Sequence, residues 1–260
     1  MQIKMDKQHA EEWKQRNSGE LYIADEEHFR HSDLFLENYT DVKEAIMSAL
    51  NGKVTEQKFY YEFKKTKRNP YYKGRIETTP LNKGIRNRFK KSKLKFKYEV
   101  TFKEGVFFDS LQTGGFDFAH IDDQYNLVNF RNLCSGRRAV FDGQELWQKE
   151  LEKRPLWHEL SKKMNLDTPM GTDLYFKKQI PTILGEIQFG NWGLVYRDIL
   201  KVIQIERDED VDLFIYITAA GNLANAISDG TVNFEKSKSI FEEFKSILSM
   251  PIWLIGIDIK

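Results

Sequence analysis

The sequence predicts an α/β fold, a central mixed β-sheet flanked by helices, carrying an N-terminal α+β extension. Three observations predict it. From about residue 171 to the end, short β-branched runs alternate with amphipathic stretches of helical period, the pattern of a sheet covered by helices. Between Lys95 and Phe130, brief alternating runs broken by Gly105, Gly114 and Gly115 read as a small antiparallel sheet. With 260 residues, 40% of them hydrophobic and 13% aromatic, the chain holds enough apolar material for one large domain or for a core with an appended subdomain.

Taken in order, the first 57 residues are polar and charged. They contain one clear helix over 41–50, where Asp41 and Glu44 have the spacing of a capping box. The next segment, Lys58 to Tyr98, holds 15 Lys or Arg against two acids, Glu62 and Glu77, so the formal net charge of +1 is the sum of two opposed halves. Aromatic rings (Phe59, Tyr60, Tyr61, Phe63, Tyr71, Tyr72) are interleaved with these cations. Such a mixture suits a surface that follows a phosphate backbone, and it equally suits a solvated charged face. After the alternating runs, a helical stretch starts near Gly143, and Pro155 interrupts it before Leu156–Met164. The remainder reads strand (172–177), strand (182–189), helix (192–207), strand (212–218), helix (223–228), helix (234–250) and strand (252–258). The division expected is an N-terminal region over 1–140, with the basic segment 58–98, and a core over 141–260.

Other classes are excluded by what the chain lacks. The single cysteine, Cys134, has no partner for an intramolecular disulfide and no activating neighbour in sequence, so it reads as a packing residue. The start, Met1 to Lys7, has no apolar export region, and stretches such as Leu213–Ala220 are too short to span a bilayer; a cytoplasmic protein that is not membrane-embedded is expected. The run His120-Ile121-Asp122-Asp123 offers a metal-like cluster, but no second histidine is near, and a loop or strand end is the simpler reading.

Two acids and an amide carry the chemistry. Side chains alternate in 182–189, so Glu186 and Gln188 share one face of that strand. Asp173 lies on the expected preceding strand, and a hairpin turning near Lys178–Pro181 would bring its carboxylate to the same mouth. Two carboxylates and the Ile187 carbonyl are hard oxygen donors that suit Mg²⁺. A metal there would lower the pKa of bound water and neutralise charge on a phosphodiester undergoing hydrolysis. An acid pair on a hairpin is also the pattern of a solvated edge. The apolar neighbours Leu184, Ile187 and Phe189 favour the functional reading, because an unpaired carboxylate among them is unfavourable.

The stretches Gly171-Thr172-Asp173-Leu174-Tyr175-Phe176, Gly185-Glu186-Ile187-Gln188-Phe189-Gly190-Asn191, Val232-Asn233-Phe234-Glu235 and Trp253-Leu254-Ile255-Gly256-Ile257-Asp258 resemble the BamHI and BglII type of type II restriction endonuclease, within the PD-(D/E)xK nuclease class. The resemblance covers about residues 170–260. It implies a Mg²⁺-dependent enzyme that cleaves double-stranded DNA at a palindromic site as a homodimer. Carried over by position, Asp173 and Glu186 are metal ligands, with Asp167 the alternative to Asp173. Gln188 stands where the class usually has a lysine; an amide cannot accept a proton, so Gln188 would orient the attacking water. Asn191, Arg197 and Asp229 fall at DNA-reading positions, Asn191 being also a natural helix N-cap. Glu159 is a possible auxiliary acid, or a solvated helical residue. Dimerisation is expected through helices 192–207 and 234–250. A catalytically inactive DNA-binding protein, or a non-restriction nuclease of the same fold, are the other functions open at this point.

Overall fold

The computed structural model describes residues 4–16, 19–67, 69–109, 115–166, 170–208 and 211–260. In chain order these form β1 (Lys4–Met5), α1 (Lys7–Arg16), β2 (Glu20–Phe29), α2 (Ser32–Asn38), α3 (Thr40–Leu50), β3 (Gly52–Lys53), β4 (Phe59–Lys64), β5 (Tyr71–Ile76) and α4 (Thr78–Lys90). Then come β6 (Lys97–Lys103), β7 (Val106–Asp109), β8 (Phe116–His120), α5 (Asp123–Ser135), α6 (Gly143–Lys153) and α7 (Pro155–Lys163). The chain closes with β9 (Ile183–Gln188), α8 (Leu194–Asp208), β10 (Leu213–Ala219), α9 (Gly221–Ala226), α10 (Phe234–Phe244) and β11 (Ile252–Ile259). The α/β class with a large mixed sheet is as expected.

Two compact units make up the chain. The first comprises Met1–Phe96, Gly185–Gln204 and Leu213–Lys260, the second Lys97–Leu184 and Ile205–Asp212. In the first, the mixed sheet runs in the order β3-β2-β11-β10-β9. β11 runs parallel to β10, Phe214 opposite Ile252, and antiparallel to β2, Ile259 opposite Leu21. All residues of β9, β10 and β11 are buried, which explains why their sequences read as nearly continuous apolar runs. The same unit contains a separate antiparallel sheet, β1-β5-β4, in which β4 and β5 come from the first part of the basic segment.

The second unit holds β8-β6-β7, the antiparallel sheet expected from residues 95–130. Its core gathers Leu127, Phe130, Cys134, Trp147, Leu151 and Trp157. Phe130 lies 5.3 Å from Trp147 and 5.2 Å from Trp157 between ring centroids. Burial pushes the Cys134 thiol up to about 12, with Glu150 adding to the shift, so it is an inert packing group.

Several expectations are corrected. The segment 172–177 is not a strand. Alternation is present, with Leu174 and Phe176 half-buried against the core and Asp173, Tyr175 and Lys177 exposed, but among the described residues no ladder partner accompanies it. The side-chain amide of Asn132 takes that place, accepting from Leu174 N at 2.8 Å and donating to Leu174 O at 2.7 Å. The capping box does not form: α3 starts from Tyr39 with no side-chain cap. α10 stops at Phe244, with Arg30 donating to the Lys245 and Leu248 carbonyls beyond its end, and α8 starts two residues later than expected. The unforeseen helix α5 begins at Asp122, whose carboxylate accepts from Gln124 N and Tyr125 N at 2.9 and 3.1 Å. With Asp123 paired to Lys97 at 2.6 Å, the His120–Asp123 run is structural.

Candidate active site

Strand β9 carries Glu186 and Gln188, only 3% and 8% exposed, on one side of an apolar ribbon. Helix α8 buries Val195, Asp198, Ile199, Val202 and Ile205, a stripe of helical spacing with one carboxylate inside it. The Asp198 carboxylate accepts from Gln188 Nε2 at 3.1 Å. It also accepts from Arg197 Nε and Nη2 at 3.2 and 2.9 Å, and lies 3.3 Å from Lys201 Nζ. Lys201 in turn contacts the Glu186 carboxylate. Behind them on β10, burial raises the Tyr216 phenol well above its ordinary pKa, and the carboxylates of Asp198 and Glu186 push it in the same direction. Asp198, Lys201 and Tyr216 were not singled out from the sequence. The signal for Asp198 and Lys201 was there, since two charged residues interrupt the apolar rows of an otherwise regular amphipathic helix.

The amide of Gln188 is committed at both ends. Its oxygen accepts from Gly190 N at 2.9 Å and its nitrogen donates to Asp198. A Cβ on residue 190 would sit 2.8 Å from that oxygen, so a larger residue there would displace the end of the Gln188 amide. Asn191 follows, exposed, its side chain accepting from Gly193 N at 2.9 Å ahead of α8, and its backbone bridges to Thr231. Arg197 is 54% exposed and paired to Asp198.

Asp173 belongs to the second unit, whereas Glu186, Ile187 and Gln188 belong to the first. Asp173 is exposed and accepts from Arg137 N at 2.8 Å, in a close approach that requires Gly136: a Cβ there would meet the carboxylate at 2.2 Å. Glu159 is exposed on α7, and Asp167 lies outside the described residues. Asp229 is held by Lys73 at 2.5 Å and Arg75 at 3.0 Å. Among the described residues no group of three or more His, Cys, Asp or Glu is gathered to hold a metal. Mg²⁺ is typically bound by one or two carboxylates, with water and substrate phosphate completing the shell, so the chemistry of the donor set, a buried carboxylate and a strand carbonyl, fits it.

Of the basic segment, Lys73 and Arg75 are buried and turned into the protein, and Arg88 caps the end of α3 through the Ala49, Ser48 and Asn51 carbonyls. Lys58, Lys65, Lys67, Lys83, Lys90, Lys91, Lys93 and Lys95 are exposed. No helix among the described residues is long and apolar enough to cross a membrane.

The fold and this polar cluster define an α/β protein with a carboxylate-bearing buried strand and a lysine-rich segment. A family model described as restriction endonuclease BglII/BglIII matches residues 24–257, and the chain belongs to that family of type II site-specific deoxyribonucleases. Two solved structures are similar, both at 11% identity and both covering 89% of this chain. They are restriction endonuclease BglII complexed with a DNA 16-mer (76% of that chain, TM-score 0.44) and free BglII (77%, TM-score 0.39). No curated protein sequence gives a significant match.

Proposed function

We propose that this restriction endonuclease hydrolyses double-stranded DNA at a short palindromic site as a Mg²⁺-dependent homodimer, with Glu186 at the centre of the reaction. The observation that carries the reading is the buried Glu186 carboxylate on β9, in a chain whose family match spans 24–257. A buried carboxylate must be paired, and this one faces the Lys201 ammonium of α8. Glu186 and the Ile187 carbonyl would hold the metal; Asp173 is proposed as a further ligand on its sequence pattern alone. The bound metal would supply a water of lowered pKa and charge neutralisation at the leaving oxygen. Asn191 and Arg197 have the side chains that pair bidentately with adenine and guanine edges, and are the proposed readers of sequence. Exposed lysines of 58–98 would contribute phosphate contacts. Exposed Trp192, Leu200 and Ile247, on and beside α8 and α10, supply the apolar face for a second copy.

Incubating the protein with plasmid DNA, with Mg²⁺ or with EDTA, tests the reading. Discrete fragments that require the metal are expected. A smear would assign a nuclease without site preference, and intact DNA a binding protein.

A further inference from the structure

We propose that Asp198 is a positioning residue that joins the catalytic strand to the elements carrying Asn191 and Arg197, acting on Glu186 through Lys201 and on the turn through Gln188. The inference rests on the reading of Glu186 as the centre of a DNA-cutting site. Asp198 is fully enclosed (0% exposed), and an enclosed carboxylate is tolerated only when its oxygens are paired and hydrogen-bonded. Both oxygens are engaged. Oδ2 takes the Gln188 amide, and Oδ1 takes the Arg197 guanidinium and faces the Lys201 ammonium. Three residues apart on α8, Asp198 and Lys201 stand on one side of the helix, which lets the lysine meet Glu186 as well.

The orientation of Gln188 follows from its two partners. Gly190 N can only donate and a carboxylate can only accept, so the amide oxygen faces the turn and the nitrogen faces Asp198. Thr218 Oγ1 further pins the Gln188 carbonyl at 3.0 Å. With both ends of its amide satisfied inside the protein, Gln188 acts first as a tie between β9, the Gly190–Asn191 turn and α8. The candidate reader Arg197 and the candidate metal ligand Glu186 thus share one buried carboxylate, at one and two steps respectively.

Three variants test this: Lys201→Met, which keeps length and removes charge, Lys201→Arg, which keeps the charge, and Asp198→Asn. Cleavage of plasmid DNA with Mg²⁺ gives kcat. Metal-free binding is measured on a plasmid fragment that the wild-type enzyme cuts and on one that it does not. Lys201→Met is expected to lower kcat about 10–100-fold, the span typical for groups that orient a metal ligand, without weakening metal-free binding. Lys201→Arg should recover part of that loss. Asp198→Asn should lower kcat and also reduce the preference for the cut fragment, since Arg197 loses its anchor. If Asp198→Asn fails to fold, the Lys201 pair decides alone. Wild-type kcat in Lys201→Met overturns the proposal, as does a parallel fall of cleavage, DNA binding and thermal midpoint in both lysine variants. A wild-type chain that cuts no DNA overturns the function itself, and this inference with it.

Discussion

The Lys73 ammonium lies 2.5 Å from one oxygen of the Asp229 carboxylate, and Arg75 Nη2 lies 3.0 Å from the other. Both cations are nearly buried, and Arg75 also donates to Glu62 and to the Ile227 carbonyl. Two cations of the basic segment therefore face the protein, and Asp229, an acid at an expected DNA-reading position, ties β5 to the loop after α9. Because that loop bridges to Asn191 through Thr231, the tie also braces the start of α8.

The tie predicts a pH dependence. Hydrogen bonds from Lys73 and then Arg75 lower the Asp229 pKa from 3.8 to about 2. A depressed carboxylate pKa contributes stability above the unfolded value that is lost as pH falls through the folded one. Asp229→Asn should therefore be less stable than wild type at neutral pH, and the gap should close between pH 3.8 and about 2. Urea midpoints of the two proteins across that window check it. A gap that stays constant down to the lower limit would show that the charge of Asp229 plays no part. Since the carboxylate is 65% exposed, solvent screening keeps the effect small.

The remaining cations make a separable prediction. Lys90, Lys91 and Lys93 project from the end of α4 and are exposed, so replacing them by Gln should weaken binding to all DNAs and lower the log-log salt slope by about one unit per lost phosphate contact. Replacing Lys73 should instead lower thermal stability and leave the slope unchanged. Filter binding over a salt series distinguishes the two sets. Equal slopes in wild type and the triple variant would make the lysine cluster a solvated face.

Glu186→Ala and Asp173→Ala should each abolish Mg²⁺-dependent cleavage while metal-free DNA binding stays within about tenfold, because a metal acts mainly on the transition state. Glu186→Ala carries a second expectation: the Lys201 ammonium loses its carboxylate partner on β9. A variant that still cuts at the wild-type rate removes its residue from the reaction. The two need not fail together, since Asp173 lies on the second unit.

The ending of the chain was legible because period and burial agree there. β9, β10 and β11 are buried throughout and mostly apolar, and Glu186 and Gln188 stood out as polar residues within β9. The N-terminal third was not, for a physical reason. β2 is an antiparallel neighbour of β11 but carries Asp25, Glu26 and Glu27, which face partners such as Trp253 Nε1 at 2.9 Å and Lys238, so its sequence lacks an apolar face. Asn132 stood in for a strand at 172–177, a substitution that no local pattern reveals. Asp198 interrupts the apolar rows of α8, a signal that the apolar width of the helix alone does not bring out.

Assembly gives the last prediction. On α8 the stripe Val195, Ile199, Val202 and Ile205 is buried within the chain, which leaves Leu200 56% exposed on another side of the helix. Just after α10, Ile247 is 57% exposed, and Trp192, ahead of α8, is 40% exposed. The two helices are joined by the Tyr196–Phe244 ring contact at 5.9 Å, and Trp192 stacks edge-on against Tyr196 at 6.1 Å under the Lys236 ammonium. An apolar surface of this kind, rimmed by charge, is what an isologous contact with a second copy requires, since the same patch must serve both partners. Placing a carboxylate at its centre should break the contact without disturbing the monomer, as Leu200 packs on little of its own chain. Leu200→Asp is expected to raise the dimer dissociation constant about 30-fold or more, the effect of losing a hot spot of about 2 kcal/mol. Sedimentation at micromolar concentration should then give twice 30.7 kDa for wild type and a mass near 30.7 kDa for the variant, with circular dichroism unchanged. Cleavage of both strands in one binding event should give way to nicking. A wild-type chain that sediments at 30.7 kDa even with DNA that it cuts would refute the dimer and leave this face to another partner.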